Sequence, residues 1–270
     1  MKNVTSIAAL TLTISAAFAS AGVVDVTPGS TLWTNPSGEN GDGTGTSGIQ
    51  DTPLLDGDGA VFIKGDRTRF AAGTIYPGAA STSIGLLTNL TAYNFKWTSV
   101  TRDPTGISLT QAPALRLHVY DPSEARRFEI IWEDGEQGDN KQFSGVATAV
   151  PGTTFTGDMF TSSVYINTRT GNGTGRGLFN ANGTLITGSD APTTLASLVS
   201  ILGTDAFIGG LSVGVGSSAG ALYTGYADDV QIAFGQANDT TFNFTTVPEP
   251  AALTALGLGG LALLRRRNRA

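Results

Sequence analysis

The chain has 270 residues, of which 36 are glycine, 40 % are hydrophobic and only 14 % are charged. This is too apolar for general disorder and too rich in glycine and β-formers for a helical bundle, and the length suits one large all-β domain. The formal net charge is −6, there is no cysteine and there is a single histidine, His118, which excludes disulfide frameworks, thiolate chemistry and multi-histidine zinc sites.

The opening stretch MKNVTSIAALTLTISAAFASAG carries one lysine and an apolar run from Ile7 to Phe18. It ends in two small-x-small exits, Ala17-Phe18-Ala19 and Ala19-Ser20-Ala21. This is the pattern of a secretory signal peptide over residues 1–21, cut by signal peptidase after Ala19 or Ala21. The body then runs over residues 22–240.

Asn35 to Gly48 is a Gly- and Thr-rich loop. Asp56-Gly57-Asp58-Gly59 follows and offers oxygen ligands for calcium, as Asp228-Asp229 does later, although neither has the spaced ligand loop of an EF-hand. No cofactor is assigned, and calcium is the one candidate. AVFIK (Ala60 to Lys64) reads as a strand, and in YNFKWTSV the residues Tyr93, Phe95 and Trp97 fall in phase.

In ALRLHVY the residues Leu115, Leu117 and Val119 share one face and Arg116, His118 and Tyr120 the other. In RFEIIWE the residues Phe128, Ile130 and Trp132 oppose Glu129 and Glu133. Both predict half-buried strands, and the intervening DPSEAR, with Asp121-Pro122 favouring reversal, predicts a hairpin. SVYIN (Ser163 to Asn167) predicts a further strand, and Asn167 to Gly177 a loop. In SDAPTTLASLVSILG the residues Leu195, Leu198, Val199 and Leu202 lie at i, i+3, i+4 and i+7, which predicts a short helix. Asp190 or Ser189 would cap it, Pro192 would sit in its first turn and Gly203 would end it. LSVGVG (Leu211 to Gly216) and DVQIAF (Asp229 to Phe234) complete the strands. Asp228-Asp229 is read as a strand entry. Many short strands, Gly-rich turns and one helix predict a two-sheet antiparallel β-sandwich of jelly-roll type.

Residues 241–250 form a linker that ends in Val247-Pro248-Glu249-Pro250. Residues 251–270 follow, apolar from Ala251 to Leu264 except Thr254 and closed by Arg265, Arg266, Arg267 and Arg269. As a helix the apolar part reaches roughly 21 Å, short of the roughly 30 Å hydrocarbon core. The arginines hold the C-terminus on the cytoplasmic side, so the membrane is a partner through this helix and the body lies outside. Without Lys2, these four arginines and Glu249, the body keeps 11 positive and 21 negative charges. Such a body, near −10, repels phosphate backbones and excludes a nucleic-acid partner.

The order of proline-flanked acidic residue, apolar helix and arginine cluster in VPEPAALTALGLGGLALLRRRNRA resembles the PEP-CTERM sorting signal of Gram-negative bacteria. The resemblance implies export by the general secretion route, a transient membrane tether, and processing by an exosortase at the Pro-Glu-Pro region. The prolines around Glu249 keep that segment extended and outside the following helix. The order of elements between about residues 85 and 235 also resembles an extracellular domain of other PEP-CTERM proteins, similar to concanavalin- and laminin-G-like sandwiches. That implies a setting at the cell surface, in extracellular polysaccharide or in the biofilm matrix.

Glu133, Asp134 and Glu136 do not form the one-face E-x-D-x-E carboxylate set of a sandwich-fold glycoside hydrolase, because WEDGEQGDN puts Glu133 and Asp134 on opposite faces and then turns. His118 lacks a G-x-S-x-G elbow as partner. Trp33, Trp97 and Trp132 could serve as sugar platforms, yet Trp97 and Trp132 are in phase with core residues. The reading is a non-enzymatic exported protein without catalytic or metal residues assigned. A lectin-like glycan-binding module is the alternative, ahead of a polysaccharide-active enzyme.

Overall fold

The computed structural model describes residues 22–36, 45–101, 112–133, 153–168, 175–179, 185–187, 193–216, 220–235 and 239–246. In chain order the strands are β1 (Gly22–Val26), β2 (Trp33–Thr34), β3 (Thr46–Gln50), β4 (Ala60–Lys64), β5 (Arg69–Gly73), β6 (Gly85–Leu86), β7 (Ala92–Thr101), β8 (Ala114–Asp121) and β9 (Arg126–Glu133). They continue as β10 (Phe155–Asp158), β11 (Tyr165–Thr168), β12 (Gly175–Arg176), β13 (Leu178–Phe179), β14 (Leu185–Thr187), β15 (Phe207–Gly214), β16 (Thr224–Ala233) and β17 (Thr240–Phe244). One α-helix is present among the described residues, α1 (Leu195–Ile201). The last strand covers residues that the sequence reading divides between body and linker.

Two antiparallel-rich sheets form a β-sandwich. The first holds β1, β3, β4, β7, β10, β16 and β17, and the second runs β12-β11-β9-β8-β15-β5-β2 with β6 beside β15. Among the described residues, β1 and β17 are the one pair of named strands that run parallel. The long strand β16 lies along β7 on one side. On its other side it pairs first with β4, through Thr224 to Ala227, and then with β17, through Val230 to Ile232. The sheet therefore forks opposite Asp228 and Asp229.

The core lies between the sheets and is strongly aromatic. In β7 the buried Tyr93, Phe95 and Trp97 alternate with the half-buried Asn94 and Lys96, the period of two expected when one face of a sheet is covered. Trp33 of the second sheet meets Phe242 and Phe244 of the first edge-on, with ring centroids 5.3 and 5.0 Å apart. Trp132 meets Phe95 likewise at 5.6 Å. Each such ring buries about 150–250 Å² and gains ~0.5–1.5 kcal/mol from its aromatic partner beyond area burial. All three indoles are core groups, 2 % exposed or less, which removes them as sugar platforms.

The predicted hairpin forms: β8 and β9 pair from Ala114↔Glu133 to Asp121↔Arg126. A single 3-10 turn, Pro122–Glu124, reverses the chain and ends at Ala125 in the left-handed region. The Asp121 carboxylate organises the turn. Its Oδ1 accepts from the Ser123 amide at 3.1 Å and the Ser123 hydroxyl at 2.6 Å, and its Oδ2 accepts from Arg126 Nε at 3.0 Å and Nη2 at 2.7 Å.

Three local expectations are corrected. The hairpin strands are buried on both faces rather than half-buried, and near His118 and Arg127 the segment Ile75 to Pro77 lies against the outer face. A side chain at Gly209 of β15 would collide with Pro77, and the Arg127 guanidinium stands 5.0 Å from the Tyr76 ring centroid. Helix α1 is capped by Thr194, whose Oγ1 accepts from the Ser197 amide at 3.2 Å, not by Ser189 or Asp190. Thr193 is held in a bridge with Val164, which keeps the chain extended up to the cap. Leu195, Leu198 and Leu202 are buried as the spacing predicts, and with Leu202 as the C-cap Gly203 stands just past the end of the helix. Asp228-Asp229 is not a strand entry but lies in the middle of β16, at a bulge where the β7 register shifts between Asp228 and Gln231. The inward set moves from Gly225 and Ala227 to Val230 and Ile232, as one extra residue on a strand requires.

Candidate functional site

The outer face of the second sheet carries a polar cluster on alternate positions of neighbouring strands. Arg116 and His118 come from β8, Glu129 and Glu133 from β9, Ser212 from β15 and Arg69 from β5. His118 is fully buried, with Nε2 2.8 Å from Ser212 Oγ and Nδ1 3.5 Å from Glu129 Oε1. Arg69 Nη2 pairs with the same Glu129 oxygen at 3.0 Å. Tyr165 of β11 donates its hydroxyl to Glu133 Oε2 at 3.1 Å.

Ser212, His118 and Glu129 thus stand in the order of a nucleophile, a base and an orienting acid, a grouping that sequence spacing could not show because it joins three strands. The electrostatics oppose that role. Burial, reinforced by Arg69 and Arg116 and opposed by Glu129 and the Ile75 backbone, pushes the imidazole down from 6.5 to about 3. A base so weak is far from the near-neutral value that general-base catalysis favours. Ser212 has no exposed surface. Glu133 is buried beside Tyr165, while Asp134 and Glu136 lie outside the described residues. Arg116 is 2 % exposed, and its Nε and Nη1 have no hydrogen-bond partner among the described residues. Burial lowers its pKa, and Arg69 adds to that.

A second cluster forms at the fork of the first sheet. Carboxylate oxygens of Asp56, Asp228 and Asp229 lie within 4.8 Å of one another, so the two acidic pairs singled out separately in the sequence share one corner. Lys96 Nζ of β7 lies 2.7 Å from Asp56 Oδ2 and 2.7 Å from Asp229 Oδ2. These bonds, Asp229's first, hold the ammonium well above its ordinary value, and Lys96 holds the Asp56 carboxyl below its own. Asp228 is fully buried. Its Oδ1 accepts from the Phe244 amide at 2.9 Å and the Asp229 amide at 2.8 Å, and its Oδ2 has no hydrogen-bond partner among the described residues. Burial, reinforced by Asp229 and Asp58 and opposed by the two amides, raises its pKa from 3.8 to about 7.

The corner is walled by the end of β17. The Asp58 carbonyl accepts from the Thr246 amide at 2.9 Å and the Thr245 hydroxyl at 3.1 Å, and Asn243 Nδ2 donates to Asp58 Oδ2 at 3.2 Å and Asp25 Oδ1 at 2.9 Å. Gly59, at φ 138°, passes so close to this end that a Cβ would stand 2.7 Å from the Thr246 nitrogen, which only glycine avoids.

The chain beyond this corner decides where the protein goes. Residues 246–269 match the PEP-CTERM protein-sorting motif. The matched stretch takes in Val247, Pro248, Glu249, Pro250, Arg265, Arg266 and Arg267. The PEP-CTERM motif marks an exported protein targeted to an exosortase and anchored transiently in the membrane. Searches of curated proteins and of solved structures gave no match. The matched residues beyond Thr246, like the expected signal-cleavage residues Ala19 and Ala21, lie outside the described residues. Among the described residues no helix is long and apolar enough to cross a membrane.

Proposed function

We propose that the chain is exported after signal-peptidase cleavage at Ala19 or Ala21, held briefly by residues 251–270, and processed near Pro248-Glu249-Pro250 by an exosortase-type enzyme. It then serves at the surface of a Gram-negative cell, or in its biofilm matrix, as a non-enzymatic β-sandwich associated with exopolysaccharide. The observation that carries this reading is the sorting motif at residues 246–269. The sandwich supports it in a second way: its Ser/His/Glu grouping is buried and holds a histidine too weakly basic to activate a hydroxyl. The jelly-roll or laminin-G-like kinship implied by the sequence belongs to the same reading.

Intact mass of the protein recovered from the surface and medium of its host tests the sorting. The expected chain begins at Ser20 or Gly22 and ends near the Pro-Glu-Pro segment, and a mass that keeps the arginines would mean a permanent anchor. The non-enzymatic role is tested with a fluorophosphonate probe and with reducing-end release from polysaccharides. Neither labelling nor release is expected. Labelling lost in Ser212→Ala, or release lost in Glu133→Gln, would make the chain an enzyme, and selective retention on a glycan array would make it a lectin.

A further inference from the structure

The corner at the fork gathers more negative charge than its one lysine neutralises. Three carboxylates, from the turn before β4 and from the bulge of β16, meet within 4.8 Å, and Asp58 stands behind them against Asn243. The ammonium of Lys96 touches Asp56 and Asp229 only. Asp228 has its Oδ1 fixed by two backbone amides, while its Oδ2 is buried and without a hydrogen-bond partner among the described residues. A buried carboxylate oxygen in this condition is unfavourable unless a cation or a proton meets it. The donor set consists wholly of oxygens, which suits a hard cation and excludes soft metals. Lys96 already marks a cation position, and its side chain is 37 % exposed, so it can leave that position for water without being buried elsewhere.

We propose that Asp56, Asp228 and Asp229 bind one calcium ion, which takes the place of the Lys96 ammonium. Calcium accepts six to eight oxygens in flexible geometry, so water can complete its shell on the exposed Asp56 side. Magnesium demands a tighter octahedron and gives up its water reluctantly. The ion joins the turn before β4 to β16 and, through the Asp228 hydrogen bond to the Phe244 amide, to the end of β17. Thr246, where the sorting motif begins, is bonded to Asp58 in the same corner. Calcium would therefore fasten the sandwich at the point where the sorting segment leaves it.

The test uses the full-length chain in detergent, stripped with EGTA and titrated calorimetrically with calcium chloride and then with magnesium chloride, with thermal unfolding followed in parallel. One calcium per chain and a higher Tm are expected, with magnesium at least about tenfold weaker. Lys96→Met removes the competing charge and should tighten calcium binding about tenfold, whereas Asp56→Asn, at a half-exposed position, should weaken it by a similar factor. Asp228→Asn keeps the acceptor for both amides and should abolish binding; should it fail to fold, Asp56→Asn carries the test. Absence of calcium binding in both the native chain and Lys96→Met overturns the proposal, as does binding that neither aspartate substitution changes.

Discussion

On the β8–β9 hairpin the buried charges come from residues two apart on neighbouring strands, and Arg69 and Arg126 each lie against a carboxylate, Glu129 and Asp121. In the carboxylate corner the charges come from a turn, a bulge and a neighbouring strand, and three acids share one lysine. Arg116, His118, Glu129 and Ser212 are buried, so water contributes little to the hairpin cluster. The corner is open on the Asp56 side. Similar residue types therefore carry different energies, and the difference can be measured at matched positions.

The largest contrast is between two ion pairs. Asp121 is fully buried and meets Arg126 through two hydrogen bonds. Asp121→Ala removes both of those charge-assisted hydrogen bonds at a buried position and the acceptor of the Ser123 amide, and should cost about 3–5 kcal/mol of stability. The Asp56–Lys96 pair has side chains 51 % and 37 % exposed, and Asp56→Asn in EGTA should cost less than about 1 kcal/mol. Urea unfolding of both variants measures the gap, and equal losses would show that the two regions are not electrostatically distinct.

The next contrast is in pH dependence, where the two clusters pull in opposite directions. His118 has its folded pKa depressed from 6.5 to about 3. Below 6.5 the unfolded chain takes up a proton that the folded chain refuses, so this group's contribution is complete above 6.5 and is lost as pH falls towards 3. Asp228 has its folded pKa raised from 3.8 to about 7. The folded chain keeps a proton that the unfolded chain releases, so its contribution is complete below 3.8 and is lost as pH rises through 7. Between about pH 4 and 6.5 the two slopes, each at most about 1.4 kcal/mol per unit, nearly cancel. In EGTA, His118→Asn should therefore lose stability relative to the native chain as pH rises across that window, and Asp228→Asn should gain it. Parallel curves for all three chains would sink both assignments.

The same division explains what the sequence disclosed. Strict alternation in ALRLHVY and RFEIIWE was enough for the hairpin and for the inward Leu117 and Trp132, because pairing between adjacent strands is a local matter. The burial of Arg116 and His118 was not legible, since Ile75 reaches His118 from a distant loop and polar residues on an alternating face look solvated. Asp228-Asp229 looked like a strand entry because the bulge interrupts the period at that point and hides Thr224 to Ala227. Both acidic pairs were visible as oxygen donors, but their meeting depends on β16 changing partner from β4 to β17. The sorting motif was legible because its order of residue types is linear.

The smallest contrast concerns the backbone. Ala125 and Asp229 are both non-glycine residues in the left-handed region, at φ 48° and 47°, one in the hairpin turn and one in the corner. An alanine there is strained by its Cβ, about 1–2 kcal/mol against glycine, and its methyl group makes no polar bond in return. Against this relief stands the greater freedom glycine gives the unfolded chain. Ala125→Gly should accordingly stabilise the protein by up to about 1 kcal/mol. Asp229→Gly relieves the same conformation but deletes the 2.7 Å partner of Lys96, and aspartate tolerates this region better than alanine does. Its net change should be close to zero or negative. A gain in Tm for Ala125→Gly alone would place the unrelieved strain in the hairpin turn, whereas equal gains would mean that the Asp229–Lys96 contact contributes nothing to holding the bulge.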